Sequence, residues 1–235
     1  MHGHHQAFNW LNLIPGLEHA PTHLLMAALV AILVVVLGSV ATLKLKAAGD
    51  VTIPEGRLTY RNFFDILAEK LYGLTENVLG HHGAEQYFPV VATLFIFIFA
   101  SNLMGLIPGF TPPTDNINVT FAAGLFVFFY YNWQGFKANG VGYLKHFLGP
   151  VWYLAPLLLI IEIMSHLFRP MTLGLRLRGN IMADHLILET FHSLAVPYVL
   201  PVIFYGMGLF VSFIQAFVFC LLTMVYINLS TAHDH

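Results

Sequence analysis

Arg176 lies in the run Arg169-Pro-Met-Thr-Leu-Gly-Leu-Arg176-Leu-Arg178-Gly-Asn180, between two long apolar stretches. A guanidinium stays protonated under any accessible condition. At bilayer depth it costs from about 2.5 to well over 10 kcal/mol, according to how water and partners reach it. Packing alone is served by cheaper residues, so a charge here points to function. Glu162, His166, Arg169, Thr172, Arg176 and Asn180 recur at three- and four-residue steps. On a helix this places Arg176 and Asn180 on one face, one turn apart, although Pro170 can break the stripe ahead of Arg176. Arg178, His185, Glu189 and His192 follow a second face, and Asp184 lies between the two.

In hydrocarbon such groups must face protein or water. Two polar stripes meeting near one permanent cation read as two aqueous paths with a barrier between them. Carboxylates and imidazoles have pKa values that an environment can tune to exchange protons near neutral pH. An arginine cannot relay a proton that way. Its job is electrostatic: it holds an opposing carboxylate ionised and blocks a direct leak. The expectation is a fixed positive charge inside an ion-translocating membrane protein. Plainer readings stand beside it. Arg176 can pair with an internal carboxylate to fix helix packing. Arg178 can snorkel or pair with Asp184. His185 and Glu189, one turn apart, can satisfy each other. His166 and His192 divide between interfacial hydrogen bonding and a proton path. Gln215 can simply bridge helices.

Composition sets the frame for these groups. Of 235 residues, 57% are hydrophobic and 9% charged, and the mean hydropathy is +0.73. Soluble domains carry roughly 25% charged residues. The chain therefore reads as an all-α polytopic membrane protein forming one membrane domain. A net charge of −2 makes nucleic acid an unsuitable partner. One cysteine, Cys220, sits in an apolar run, so neither a disulfide framework nor a thiolate metal site arises within the chain. No Lys or Arg precedes Lys44, so no basic-led cleavable leader is expected. His2, His4 and His5 read as part of a flexible translocated tail, with metal binding as the alternative.

A spanning helix needs about 20 apolar residues. Spans are expected at 24–43, 88–107 and, a little short, 119–134. Residues 58–79 mix Arg61, Asp65, Glu69, Lys70 and Glu76 with Phe63, Phe64, Ile66, Leu67, Leu71 and Leu74. That pattern is an amphipathic helix lying at the surface. Residues 151–194 and 198–229 read as a long, polar, tilted membrane hairpin turning near 192–197. The total is about five membrane-embedded helices plus one interfacial helix. The ten basic residues avoid the N-terminal tail (1–23), the 108–118 loop and everything after Arg178. The positive-inside rule then puts the N-terminus and the 108–118 loop outside, and the 44–87 and 134–150 segments in the cytoplasm. If the hairpin crosses twice, the C-terminus is cytoplasmic. No internal repeat supports a transporter built from inverted halves.

Leu173-Gly-Leu-Arg176-Leu-Arg-Gly179-Asn180, followed by Ala183 and Leu186-Ile187, resembles the signature of the a subunit of F-type rotary ATP synthases. Phe99-Ala-Ser-Asn102-Leu-Met-Gly-Leu-Ile-Pro108-Gly, Asn116-Ile-Asn118-Val-Thr120, Gln215-Ala-Phe-Val-Phe219 and Leu222-Thr-Met-Val-Tyr226-Ile extend the match across most of residues 20–230. The resemblance implies a stator subunit beside a rotating ring of c subunits, held by b-type peripheral stalk subunits in a bacterial inner membrane. Two offset half-channels would carry H⁺ or Na⁺, with no cofactor and no nucleotide bound directly. It implies that Arg176 is the essential arginine facing the ring carboxylates, with Asn180 and Gln215 as polar neighbours. Glu162, Arg169 and Thr172 would line the cytoplasmic half-channel. Asn102, Asn116, His185 and Glu189 would serve the outer one. In many members a carboxylate at the position of His185 pairs with a histidine on the last helix, and in others the two are exchanged. Here the last-helix counterpart is Gly208, and Asp184 or Glu189 is left to supply the carboxylate. Arg178 is an extra charge where the family pattern has an apolar residue.

Two competing classes of function stand beside this one. Thirteen histidines invite a haem- or quinone-binding oxidoreductase subunit, but they gather in the tail, at His81-His82 and at segment ends. A standalone ion transporter would work without partners. No phosphate-cradling Gly-rich lysine motif is present.

Overall fold

The computed structural model describes residues 21–47, 60–107, 110–140, 160–161, 164–165, 168–169, 171–176, 178–179 and 199–231. Four long helices carry the fold: α1 (Thr22–Ala47), α2 (Tyr60–Met104), α3 (Ile117–Asn139) and α4 (Val199–Thr231). A 3₁₀ turn, Pro113–Asp115, leads into α3. Residues 171–176 add a further helical segment. Among the described residues no strand occurs, as an all-α membrane protein requires when lipid offers the backbone no partners. Stretches in α1, α2 and α4 (Thr22–Val40, Asn62–Met104 and Tyr205–Thr231) are long and apolar enough to cross a membrane.

Lipid tails are as apolar as leucine, so helices in a bilayer hold together through close packing and small residues. α3 shows this in its buried stripe Thr120, Gly124, Val127, Tyr131 and Gly135. α4 answers with Ala216, Phe219, Cys220, Thr223, Met224 and Ile227, all buried. The largest interface is α2 on α4, followed by α3 on α4. Its core joins Val91, Leu94, Phe95 and Ile98 of α2 to Phe219, Cys220 and Met224 of α4. The Cys220 thiol donates to the Val91 carbonyl at 3.5 Å. The buried hydroxyls of Thr75, Thr223 and Ser230 donate to carbonyls of their own helices, which satisfies these donors within the apolar interior. α1 buries Met26 and Val30 and leaves Ile32, Val35, Val36 and Leu43 to lipid or a partner.

The amphipathic segment and the second span form one element. α2 runs through both, bent at Gly80 (φ 75°, ψ 170°), so residues 81–87, expected to connect the two, are helical. Asp65, Glu69 and Lys70 are exposed on the first arm while Leu71 and Thr75 turn inward. The side-chain amide of Asn228 in α4 donates to the Val78 carbonyl at 3.1 Å, which ties α4 to α2 just before the bend. His81 just beyond the bend pairs with Glu76 at 3.0 Å. α3 begins two residues before the expected span and runs to Asn139. The Asn116 side chain accepts from the Asn118 amide, and the Gly140 N–H closes the other end on the Phe136 carbonyl. The Asn139 amide donates to the Ser230 carbonyl at 3.2 Å, which fixes the ends of α3 and α4 on one side.

Gly80 occupies a backbone region essentially confined to glycine. A Cβ there would meet no atom within 4 Å, so the cost of a side chain is conformational. Gly80→Ala is expected to destabilise the bent helix by about 1–3 kcal/mol, read as a lower thermal midpoint of the purified protein. An unchanged midpoint would show that the bend is not required.

Candidate functional site

The residues around Arg176 divide into a packed side and an outward side. Leu173 and Gly174 are buried and Arg169 is half-buried, whereas Met171, Thr172, Leu175 and Arg176 are exposed. A helical period explains the split, because positions 169, 173 and 174 share one broad sector and 171, 172, 175 and 176 the other. Arg176 stands at the edge of the exposed sector. It makes no hydrogen bond or ion pair among the described residues. Its neighbour Leu175 is 53% exposed, so the cation is set in an apolar surface. Thr172 spends its hydroxyl on the helix itself, donating to the Phe168 and Arg169 carbonyls at 2.9 and 3.0 Å.

Two contacts fix this segment against α3. Arg169 lies with its guanidinium carbon 5.2 Å from the ring centroid of Tyr226 and 6.0 Å from that of Tyr131. The two rings are 5.8 Å apart and tilted by 48°. Further on, Gly174 packs on the start of α3. A Cβ at that position would meet the Thr120 carbonyl carbon and oxygen at 3.3 Å and Phe121 Cα at 3.4 Å. The segment therefore runs antiparallel to α3, from the level of Tyr131 to that of Thr120.

A second polar group gathers where α2 ends and α3 begins. Asn102 and Thr114 are buried, and the Thr114 hydroxyl donates to Asn102 Oδ1 at 2.9 Å. Asn116 caps α3, and Thr120 donates to the Ile117 carbonyl at 3.1 Å. Ser101 Oγ and Asn102 Nδ2 are buried with no hydrogen-bond partner among the described residues. Gly105 lets the chain turn tightly, since a Cβ would sit 3.0 Å from Pro112 Cγ. Asn102 and Asn116, singled out from sequence, thus share one end of the molecule, opposite the Asn139–Ser230 contact. Ser101 and Thr114 were not singled out. Only their burial marks them, and a lone Ser or Thr in an apolar run carries no such signal.

Gln215 is buried in α4, on the packed side with Ala216, while Arg176 faces outward. Gly208 is also buried. Arg178 is half-buried, and its Nε is enclosed with no partner among the described residues. Glu162, Asn180, Asp184, His185 and Glu189, with His166 and His192, lie outside the described residues. Among the described residues no group of three His, Cys, Asp or Glu side chains is placed to hold a metal ion.

The sequence model of the family described as ATP synthase A chain matches residues 24–228. The chain belongs to the ATP synthase subunit a family. It is 46% identical to ATP synthase subunit a of Bdellovibrio bacteriovorus over 230 residues, covering 97% of this chain and 100% of that one. It is 44% identical over 207 residues to that of Geobacter sulfurreducens, covering 88% and 86%. It is 41% identical over 211 residues to that of Sorangium cellulosum, covering 89% and 82%. Subunit a is an ion-translocating membrane component of the synthase and not itself the catalyst. Neither the haem- or quinone-binding reading nor the standalone transporter gains support from these matches.

Backbone atoms cannot yield as a flexible side chain can, so a larger residue at 174 must push the helical segment off α3. Gly174→Val is expected to cost about 1–3 kcal/mol by overpacking and to lower the amount of folded subunit in the membrane. Wild-type levels and wild-type thermal stability would contradict the close approach.

Proposed function

We propose that the chain is the proton-translocating stator subunit of an F-type ATP synthase, with Arg176 as the fixed charge that faces the acidic groups of the rotating c ring. The observation that carries this reading is the outward placement of Arg176. A permanent cation held on an apolar surface, with no partner in its own chain among the described residues, calls for an anion on another subunit. α4 presents a further apolar surface through Met207, Phe210, Phe213 and Ile214, all exposed, as a subunit awaiting a membrane partner would.

The mechanism follows from electrostatics. A ring carboxylate moving through lipid is neutral, because an ionised one in hydrocarbon is too costly. Near Arg176 the carboxylate is favoured in its ionised form, since an opposite charge within about 4–6 Å lowers its pKa. It therefore loses its proton to one half-channel on approach and regains one from the other on leaving. Arginine keeps its own proton throughout, so no direct path joins the two channels. A transmembrane potential supplies about 2.3 kcal/mol per charge per 100 mV, so several ions must pass for each nucleotide made.

The outer path is assigned to Asn102 and Asn116 with His185, Asp184 and Glu189. In its support, Ser101 Oγ and Asn102 Nδ2 are buried with no hydrogen-bond partner among the described residues, and such atoms are ordinarily met by ordered water. The inner path is assigned to Glu162, Arg169 and Thr172, with Asn180 and Gln215 beside Arg176. The b-type stalk would hold the subunit against the ring. The N-terminus would face outward and the C-terminus the cytoplasm of a bacterial inner membrane.

Arg176→Ala is expected to abolish proton-driven ATP synthesis, by at least about 100-fold, while the complex still assembles. The loss corresponds to about 2.7 kcal/mol or more of electrostatic stabilisation. ATP synthesis by membrane vesicles, normalised to assembled complex, reads the effect. Normal synthesis in the variant would discard the role of Arg176.

A further inference from the structure

Arg169 and Arg176 are seven residues apart, two helical turns less about 20°. They nonetheless do different things. Arg176 is exposed and Arg169 is half-buried over two aromatic rings. Tyr131 belongs to α3 and is buried; Tyr226 belongs to α4 and is half-buried. The guanidinium thus touches both helices that flank the arginine-bearing segment. Attraction of a cation to a ring face strengthens where water is excluded. Within the segment, Leu173 is 2% exposed and Gly174 rests on backbone atoms of α3. Leucine packing and glycine contact set how closely the segment approaches α3, but a smooth glycine contact resists sliding and rotation poorly. The clamp on Arg169 is directional and supplies that restraint.

We propose that Arg169, held against the paired rings of Tyr131 and Tyr226, is a positioning residue that sets the height and rotation of Arg176 at the subunit surface. The proposal rests on the reading of Arg176 as the stator charge. Because Arg176 stands at the edge of the exposed sector, a small rotation of the segment turns it toward α3 and away from a facing subunit. A rotation the other way carries it into lipid. Either displacement weakens the barrier between the two half-channels, so its mark is a proton leak and not only a loss of rate.

The test uses the assembled synthase in inverted membrane vesicles, with ATP-driven proton pumping and passive proton leak both normalised to the amount of complex. Tyr226→Leu removes a clamping ring and keeps an apolar side chain; Tyr226→Phe keeps the ring. The leucine variant is expected to pump about tenfold less, the factor that 1.4 kcal/mol represents, and to leak more. The phenylalanine variant is expected to stay within about twofold of the parent, since either ring binds a cation. Arg169→Lys, which keeps the charge on a different head, is expected to fall between the two and provides the readout if the leucine variant does not assemble. In an Arg176→Ala background, Tyr226→Leu should add no further leak. Parental pumping and leak in the leucine and lysine variants would overturn the proposal. So would equal losses in the phenylalanine and leucine variants, or an undiminished extra leak in the Arg176→Ala background. Normal pumping by Arg176→Ala alone would instead overturn the stator reading, which separates the two failures.

Discussion

A guanidinium that cannot lose its proton must be kept in a membrane without being neutralised by its own chain. That constraint shapes the rest of the molecule. An internal carboxylate beside Arg176 would be the cheapest way to hold it, and it would also cancel its use. The structure leaves Arg176 at the edge of an apolar exposed sector and spends its packing on the residues around it. Leu173 enters the core, Gly174 lies on α3, and Arg169 is taken by two tyrosines.

The helices that receive this segment are held by small residues and not by a hydrophobic force, which lipid does not provide between helices. The stripe Thr120, Gly124, Val127, Tyr131 and Gly135 on α3 serves packing and siting together. Gly124 and Gly135 are buried, Thr120 receives Gly174, and Tyr131 receives Arg169. α4 does the same with Ala216 and Cys220 at its interface with α2 and Tyr226 under Arg169. Function and fold therefore share residues, and a change made for packing on α3 is felt at the surface where Arg176 stands.

Much of this was legible in sequence, for physical reasons. An arginine between apolar runs is conspicuous because its burial is so costly. Apolar length betrayed the helices at 24–43 and 198–229, which lie at Thr22–Ala47 and Val199–Thr231 in the structure. The bend at Gly80 was not legible as a bend. Gly80, His81, His82 and Gly83 looked like a connection, whereas only Gly80 leaves the helical conformation. The pairing of Asn102 with Thr114 and the clamp on Arg169 were also hidden, because each joins residues from different segments and periodicity speaks only of one. Nothing in the run Tyr130-Tyr131-Asn132-Trp133 marks Tyr131 as the residue that turns inward. Its burial and its arginine come from tertiary packing. The carboxylates and histidines at 184–192 lie outside the described residues, so their arrangement rests on the sequence alone.

Coupling depends on where one side chain points once the subunit has its partners. A density map of the assembled complex, detailed enough to place side chains, would measure the separation between the Arg176 guanidinium and the nearest acidic side chain of the ring. The guanidinium is expected to face the ring, within about 4–6 Å of a carboxylate or one bridging water away. A guanidinium turned into lipid, or closed on a carboxylate of its own chain, would contradict it.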